Sequence, residues 1–197
     1  FVKKYMEERE LTVIFLVDCS GSTHFGSQDK LKSETIAEIC GLLAFAAGKN
    51  NDKVGLISFT DKIEKYIAPR KGRSRILRVI REILYPSVSG HGTNIQLALE
   101  FMNRVVRRRA IVFLVSDFVS PEFSKPLKLI SRKHDLVAIK VRDPLEKKFP
   151  KTGYVALEEA ETGKTVYLNA GSKKWRDEYS RLSEAWDQKV DHDFKTA

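Results

Sequence analysis

Asp18, Ser20 and Ser22 are the residues of this sequence whose types and spacing are best suited to chemistry. They directly follow an apolar run at residues 11–17 and have the spacing D-x-S-x-S, so one carboxylate and two hydroxyls leave the same point of the chain. Gly21 lies between the serines and allows the backbone to turn so that both hydroxyls face one point. Carboxylate and hydroxyl oxygens are hard ligands, which suit Mg²⁺ or Mn²⁺ rather than Zn²⁺.

Two later positions supply oxygen atoms of the same kind. Thr93 lies in a loop at residues 90–94 before a predicted helix, and Asp117 follows a second apolar run at residues 111–115. The alternative is structural, because Ser, Thr and Asp also cap turns and helices. The predicted metal ligands are Asp18, Ser20, Ser22, Thr93 and Asp117. The expected ion is Mg²⁺, with Mn²⁺ and Ca²⁺ as alternatives.

The charge of this ligand set predicts how the site would work. Its two carboxylates at most neutralise a divalent ion, and the three hydroxyls are weak neutral ligands. If a carboxylate acts through water, the ion keeps a positive character and an open coordination position. We therefore expect the ion to bind an external carboxylate, as a protein partner with an acidic residue would offer, without covalent chemistry.

The elements that must position these residues follow from the hydrophobic pattern. Apolar runs typical of strands buried on both faces alternate with helical patterns. This order predicts an α/β fold with a doubly wound, mostly parallel sheet and helices on both faces, of the Rossmann-like type. In such sheets, functional residues gather at the carboxyl ends of the strands. Ser120, Pro121 and Glu122 also predict a helix start directly after Asp117.

The length of 197 residues predicts a single domain over 1–197, with a small β-hairpin appendage at 150–170. The chain begins at Phe1 without a methionine, so we expect it to be a fragment of a longer protein. No apolar run reaches the ~20 residues that a membrane helix needs. The possibility of a membrane anchor outside this sequence stays open. Cys19 and Cys40 are expected to be reduced thiols, which favours a cytoplasmic location.

The chain carries 35 Lys and Arg against 26 Asp and Glu, a net charge of +9. Basic residues cluster at 70–81 and 104–109, which leaves nucleic-acid binding as an alternative function. No aromatic residues of the kind that stack on bases interleave these clusters. Solvated helix faces or a surface for an acidic protein therefore explain them better, and no nucleic acid is expected as partner.

A second alternative is a Mg²⁺-dependent phosphoryl hydrolase with Asp18 as the nucleophile. Ser20 stands where such an enzyme would need a carboxylate as general acid and base, and the sequence has no Walker A motif. Cys19 has no phosphatase loop after it and is expected to be an inert thiol. The sequence therefore favours a binding module over an enzyme.

The D-x-S-x-S turn, the later Gly-Thr pair and the still later Asp resemble the metal-ion-dependent adhesion site of von Willebrand factor A domains. The resemblance implies direct coordination by Ser20 and Ser22 and, in one state, by Thr93. It implies that Asp18 and Asp117 often act through water. All of these positions are filled in this chain.

Other segments of the chain resemble the bacterial domain-of-unknown-function family 58 over about residues 1–170. They are FVKKY at 1–5, EREL at 8–11, VGLI at 54–57, SDF at 116–118, HD at 134–135 and DP at 143–144. Those von Willebrand A-like proteins are commonly encoded beside MoxR-type AAA+ ATPases. The resemblance implies that the partner is such an ATPase or its client, in protein assembly or remodelling. Phe118 stands where many adhesion-type domains have glycine.

Overall fold

The computed structural model describes residues 10–27, 30–90, 92–158 and 163–197. Residues 1–9 and His91 therefore lie outside the described part. Residues 1–9 include FVKKY at 1–5 and the start of EREL at 8–11, two of the segments that carry the family resemblance. Within the described part the main sheet has five strands. They are β1 (Thr12–Asp18), β2 (Lys53–Phe59), β3 (Ile63–Arg70), β4 (Ile111–Ser116) and β5 (Asp135–Lys140).

The strand order is β3-β2-β1-β4-β5, so β1 is the central strand. Strands β2, β1, β4 and β5 run parallel, and β3 pairs antiparallel with β2. This order confirms the predicted mostly parallel sheet. Because β1 and β4 are parallel neighbours, the turns that follow them meet at one edge of the sheet.

Helices cover both faces of the sheet, as the hydrophobic pattern predicted. Six α-helices lie in the described part of the chain: α1 (Lys32–Lys49), α2 (Arg73–Leu84), α3 (Ile95–Val105), α4 (Ser124–Lys133), α5 (Pro144–Lys147) and α6 (Lys173–Thr196). Val13, Phe15 and Val17 of β1 pack with α1 and α2 on one face. Ile14 and Leu16 pack with α3, α4 and α6 on the other. The alternate side chains of β1 thus belong to two cores.

A small antiparallel hairpin stands apart from the main sheet. Its strands are β6 (Tyr154–Glu158) and β7 (Thr165–Asn169), which confirms the two strands predicted within residues 150–170. Residues 159–162, between these two strands, lie outside the described part. No helix in the described ranges is long and apolar enough to span a bilayer.

The predicted helix start at residues 120–122 is wrong, because α4 begins at Ser124 after Phe123. The hydroxyl of Ser120 makes other contacts. It donates a hydrogen bond to the carbonyl of Thr93 and accepts one from the amide of Ile95, each over 3.2 Å. Tertiary contacts with the start of α3 therefore use the group that local sequence rules assign to a cap.

Candidate metal centre

The turn after β1 brings the first three predicted ligands together. The amide of Ser20 donates to Oδ1 of Asp18 over 2.9 Å, and the hydroxyls of Ser20 and Ser22 lie 3.1 Å apart. The turn continues as a short 3₁₀ helix, Gly21–His24. Within it, Thr23 Oγ1 donates to the carbonyl of Ser20 over 2.8 Å. These bonds join residues two or three positions apart, so the sequence near Asp18 contributes directly to the shape of the turn.

The carboxylate of Asp18 is buried and connects β1 to β4. Its Oδ2 accepts a hydrogen bond of 2.6 Å from the hydroxyl of Ser116, which in turn accepts one from the amide of Phe118. Burial, together with the charge of nearby Asp117, raises the pKa of Asp18 to about 6, although the hydrogen bonds from Ser116 and Ser20 act to lower it. A carboxylate held in this way is stabilised in its charged form by a nearby cation.

Asp117 is buried beside a lysine that sequence reasoning did not find. Nζ of Lys32, at the start of α1, donates to Oδ2 of Asp117 over 2.9 Å and to Oε1 of Glu146 over 2.5 Å. Oδ1 of Asp117 accepts the amide of Val119. Burial lowers the pKa of Lys32, but the two carboxylates outweigh this effect and hold the pKa above its usual value. The ammonium therefore stays charged.

Thr93 carries the clearest sign of a missing ligand. Its Oγ1 is buried and has no hydrogen-bond partner among the described residues. Buried hydroxyls are normally paired, because an unpaired one costs about 1–3 kcal/mol. The proposed capping role is filled by Asn94, whose side chain accepts the amide of Leu97 at the start of α3. The Thr93 hydroxyl is thus free for a cation, and the oxygen donors fit the predicted group.

Glu64 of β3 holds the loop before Thr93 in place. Its carboxylate accepts bonds from the hydroxyl of Thr60, from the amide and hydroxyl of Ser89, and from the amide of Gly90. A Cβ added at Gly90 would lie 2.0 Å from the Thr60 hydroxyl, so this position accepts only glycine without rearrangement. These hydrogen bonds fix where the loop approaches the sheet edge.

Asp143 and Glu146, which the sequence places after β5, have structural partners. Asp143 caps α5 and accepts both the amide and the hydroxyl of Ser27. Glu146 completes a capping box with Asp143 while it also binds Lys32. Within the described ranges, no three His, Cys, Asp or Glu side chains form a metal-binding group. The predicted site has only two carboxylates and otherwise uses hydroxyls.

The structure thus brings Asp18, Ser20 and Ser22 into one turn and sets Asp117 on the adjacent strand end. Thr93 lies in a loop that is tied to the turn after β4 through Ser120. Their assignment as ligands stays a prediction. Sequence reasoning missed Lys32, Ser116 and Glu64, because each acts on a residue distant in the chain and no local pattern marks it.

The fold is a doubly wound, mostly parallel sheet with helices on both faces, of the von Willebrand factor A-like kind. The chain belongs to the family described as "Protein of unknown function DUF58", whose model matches residues 1–189. An uncharacterized protein of Mycobacterium tuberculosis is 26% identical over 187 residues, which cover 93% of this chain and 59% of that protein. The chain therefore spans about three fifths of the length of this relative.

Two solved structures share the fold at low sequence identity. One is an aerotolerance-related membrane protein from Bacteroides fragilis, with a TM-score of 0.60, 18% identity and coverage of 91% of this chain and 98% of that one. The other is proximal thread matrix protein 1 from the mussel byssus, with a zinc-occupied MIDAS motif. It gives a TM-score of 0.50 and 18% identity over 66% of this chain and 38% of that one.

Proposed function

We propose that this protein is a non-enzymatic, metal-dependent interaction module. Asp18, Ser20, Ser22, Thr93 and Asp117 would hold Mg²⁺, which supplies a Lewis-acidic position for a carboxylate of a protein partner. The observation that carries this proposal is the buried hydroxyl of Thr93, which has no hydrogen-bond partner in the part of the chain that the structure describes and lies in a loop tied to the turn that holds Asp117. The zinc in the MIDAS motif of the mussel protein supports a divalent ion in this fold.

Contacts in the site favour binding over hydrolysis. Both oxygens of Asp18 accept hydrogen bonds from the protein, and the side chain is buried, so the carboxylate is poorly placed to attack a phosphoryl group. Burial raises the pKa of Cys19, next to Asp18, far above its usual value. That thiol therefore stays protonated and is not a nucleophile at neutral pH.

The proposed partner offers an exposed Asp or Glu. By the family resemblance, we propose a MoxR-type AAA+ ATPase or its client, acting with this chain in protein assembly or remodelling on the cytoplasmic side. The basic residues at 104 and 107–109 are exposed but precede β4, at the sheet edge opposite the candidate metal centre, so they would attract an acidic partner only through the overall charge of the chain. Their contribution would be to the rate of encounter, while the metal would supply specificity.

The test measures Mn²⁺ binding by calorimetry. It also measures binding of a MoxR-type ATPase from the same organism, in Mg²⁺ and in EDTA. The double variant Ser20→Ala/Ser22→Ala removes two hydroxyls while the carboxylates remain. We expect it to lose at least about tenfold in metal affinity and to lose the EDTA-sensitive binding, because two direct ligands are gone. Ser74→Ala, at an exposed position of α2, is the matched control and should match the wild type. Undiminished metal and partner binding in the double variant would overturn the proposal.

A further inference from the structure

Lys32 is a buried cation inside the candidate metal centre. Its side chain is 4% exposed, and the Asp117 carboxylate that it contacts is 2% exposed. It also stands in the first turn of α1, where the helix dipole disfavours positive charge. A lysine is rarely buried in this way unless carboxylates compensate its charge. Asp117 and Glu146 supply that compensation.

The contact with Lys32 changes what Asp117 can offer to a metal ion. Oδ2 already accepts the ammonium and Oδ1 already accepts the amide of Val119. The positive charge of Lys32, which it shares between Asp117 and Glu146, also offsets part of the negative charge of the predicted ligand set. A dication near Asp117 is therefore repelled by the ammonium that shares this carboxylate.

We propose that Lys32 is an internal counter-cation that weakens metal binding at this site. This inference rests on the proposed function. With Lys32 in place, its ammonium is shared between Asp117 and Glu146 and offsets part of the negative charge of the ligand set, so the bound ion stays electron-poor. A carboxylate from the partner then supplies the missing negative charge, so that metal and partner bind cooperatively. Lys32 thus makes metal occupancy of the site depend on the partner.

Glu146 sets the strength of this effect, because it shares the ammonium with Asp117. Its Oε1 lies 2.5 Å from Nζ of Lys32, and its other oxygen accepts the amide of Asp143. With the carboxylate of Glu146 removed, the ammonium would be compensated by Asp117 alone. Neutralising Lys32 and neutralising Glu146 should therefore change the metal affinity in opposite directions. A merely structural role for the ion pair predicts the same direction for both variants.

The experiment measures the Kd of Mn²⁺ by calorimetry and the shift of Tm that Mn²⁺ causes, for the wild type, Lys32→Met and Glu146→Gln. Lys32→Met should tighten Kd about tenfold, the size of effect that one unit charge a few ångström away has on a site. It should also show a larger Mn²⁺-induced rise in Tm. Glu146→Gln should weaken Kd about threefold. Lys30→Met is the matched control, because Lys30 pairs with Glu38 on the surface, and it should change Kd less than about twofold.

The outcomes separate this inference from the proposed function. Absence of Mn²⁺ binding in the wild type overturns both. Wild-type binding that Lys32→Met leaves unchanged or weakens overturns only the role of Lys32. Where Lys32→Met does not fold even with Mn²⁺, Glu146→Gln decides the question, because tighter or unchanged Mn²⁺ binding in that variant also overturns the inference.

Discussion

The turns after β1 and after β4 each carry one carboxylate of the candidate metal centre, but contacts of very different range hold them. In the first turn, Asp18, Ser20 and Thr23 bond to one another within three residues. In the second, Asp117 bonds to Lys32, 85 positions away. Ser116 bonds to Asp18, 98 positions away. Both turns have local side-chain bonds, but the second turn also places its carboxylate on an ammonium from a distant helix, so its electrostatics depend more strongly on the completed fold.

Phe118, in the second turn, has a strained backbone that tertiary packing must compensate. Its φ angle is 61°, in the left-handed region that glycine accepts easily and a bulky residue does not. The ring compensates, because it is fully buried and lies edge-on to Phe194 of α6, with 4.9 Å between ring centroids. The carbonyl of Phe118 also accepts Nε1 of Trp186 over 3.2 Å. Helix α6 thus stabilises a strained turn in the candidate metal centre.

The largest effect that would test this comparison is expected for Phe118→Ala. The substitution removes a buried ring and keeps the strained backbone, so the free energy of unfolding should fall by about 3–5 kcal/mol. Phe25→Ala is the control beside the first turn, where the ring is 40% exposed, and it should cost less than about 1 kcal/mol. Chemical denaturation measures both. Equal costs would show that the two turns do not differ in their dependence on tertiary packing.

A medium effect is expected at the hydrogen bond that joins the two turns. Ser116→Ala removes the donor to Asp18 and the acceptor for the amide of Phe118. We expect a loss of about 1–3 kcal/mol in the free energy of unfolding, because buried partners are left unpaired.

A double-mutant cycle with Asp18→Asn sharpens this prediction. The two residues are in contact, so the cycle should give a coupling energy of at least about 0.5 kcal/mol. The control cycle pairs Asp18→Asn with Ser124→Ala, whose hydroxyl bonds Glu122 at the surface, and should give additive costs. Additivity in the Ser116 cycle would mean that the bond does not connect the turns energetically.

The smallest effect concerns the opposite edge of the sheet, where His134 precedes β5. Its side chain is buried, and neither ring nitrogen has a partner among the described residues. Burial, and then the charge of Lys133, lower its pKa below the usual 6.5. The unfolded chain therefore binds the proton more readily, so the free energy of unfolding should fall as the pH is lowered below about 6.5. The slope is at most about 1.4 kcal/mol per pH unit.

His134→Gln should remove this contribution to the pH slope, and His192→Gln, at an exposed position of α6, should leave it unchanged. Thermal unfolding between pH 7 and 5.5 measures both variants. Because His134 lies far along the sheet from the metal centre, the contribution should be the same with and without Mg²⁺. A contribution that vanished on adding Mg²⁺ would contradict the separation of the two edges.

The fold was predictable because its signals are local. The apolar run of β1 contains residues that alternate between two cores, so both faces had to be covered. Helical stripes such as Ile95, Leu99 and Met102 supplied the cover. Prediction of a helix start failed where a residue that matches a local capping pattern makes a tertiary contact instead. Ser120, which resembles a helix cap, bonds to the chain around Thr93 instead.

The types of ligand in the candidate site can be predicted from the residues alone. D-x-S-x-S places a carboxylate and two hydroxyls in one turn, because backbone geometry over five residues depends mainly on those residues. The electrostatics of the candidate site, in contrast, depend on tertiary contacts. It placed the ammonium of Lys32 on Asp117, the hydroxyl of Ser116 on Asp18 and the carboxylate of Glu64 on the loop before Thr93. Packing of distant elements brings these charges together, and Coulomb interaction depends on distance in space rather than along the chain.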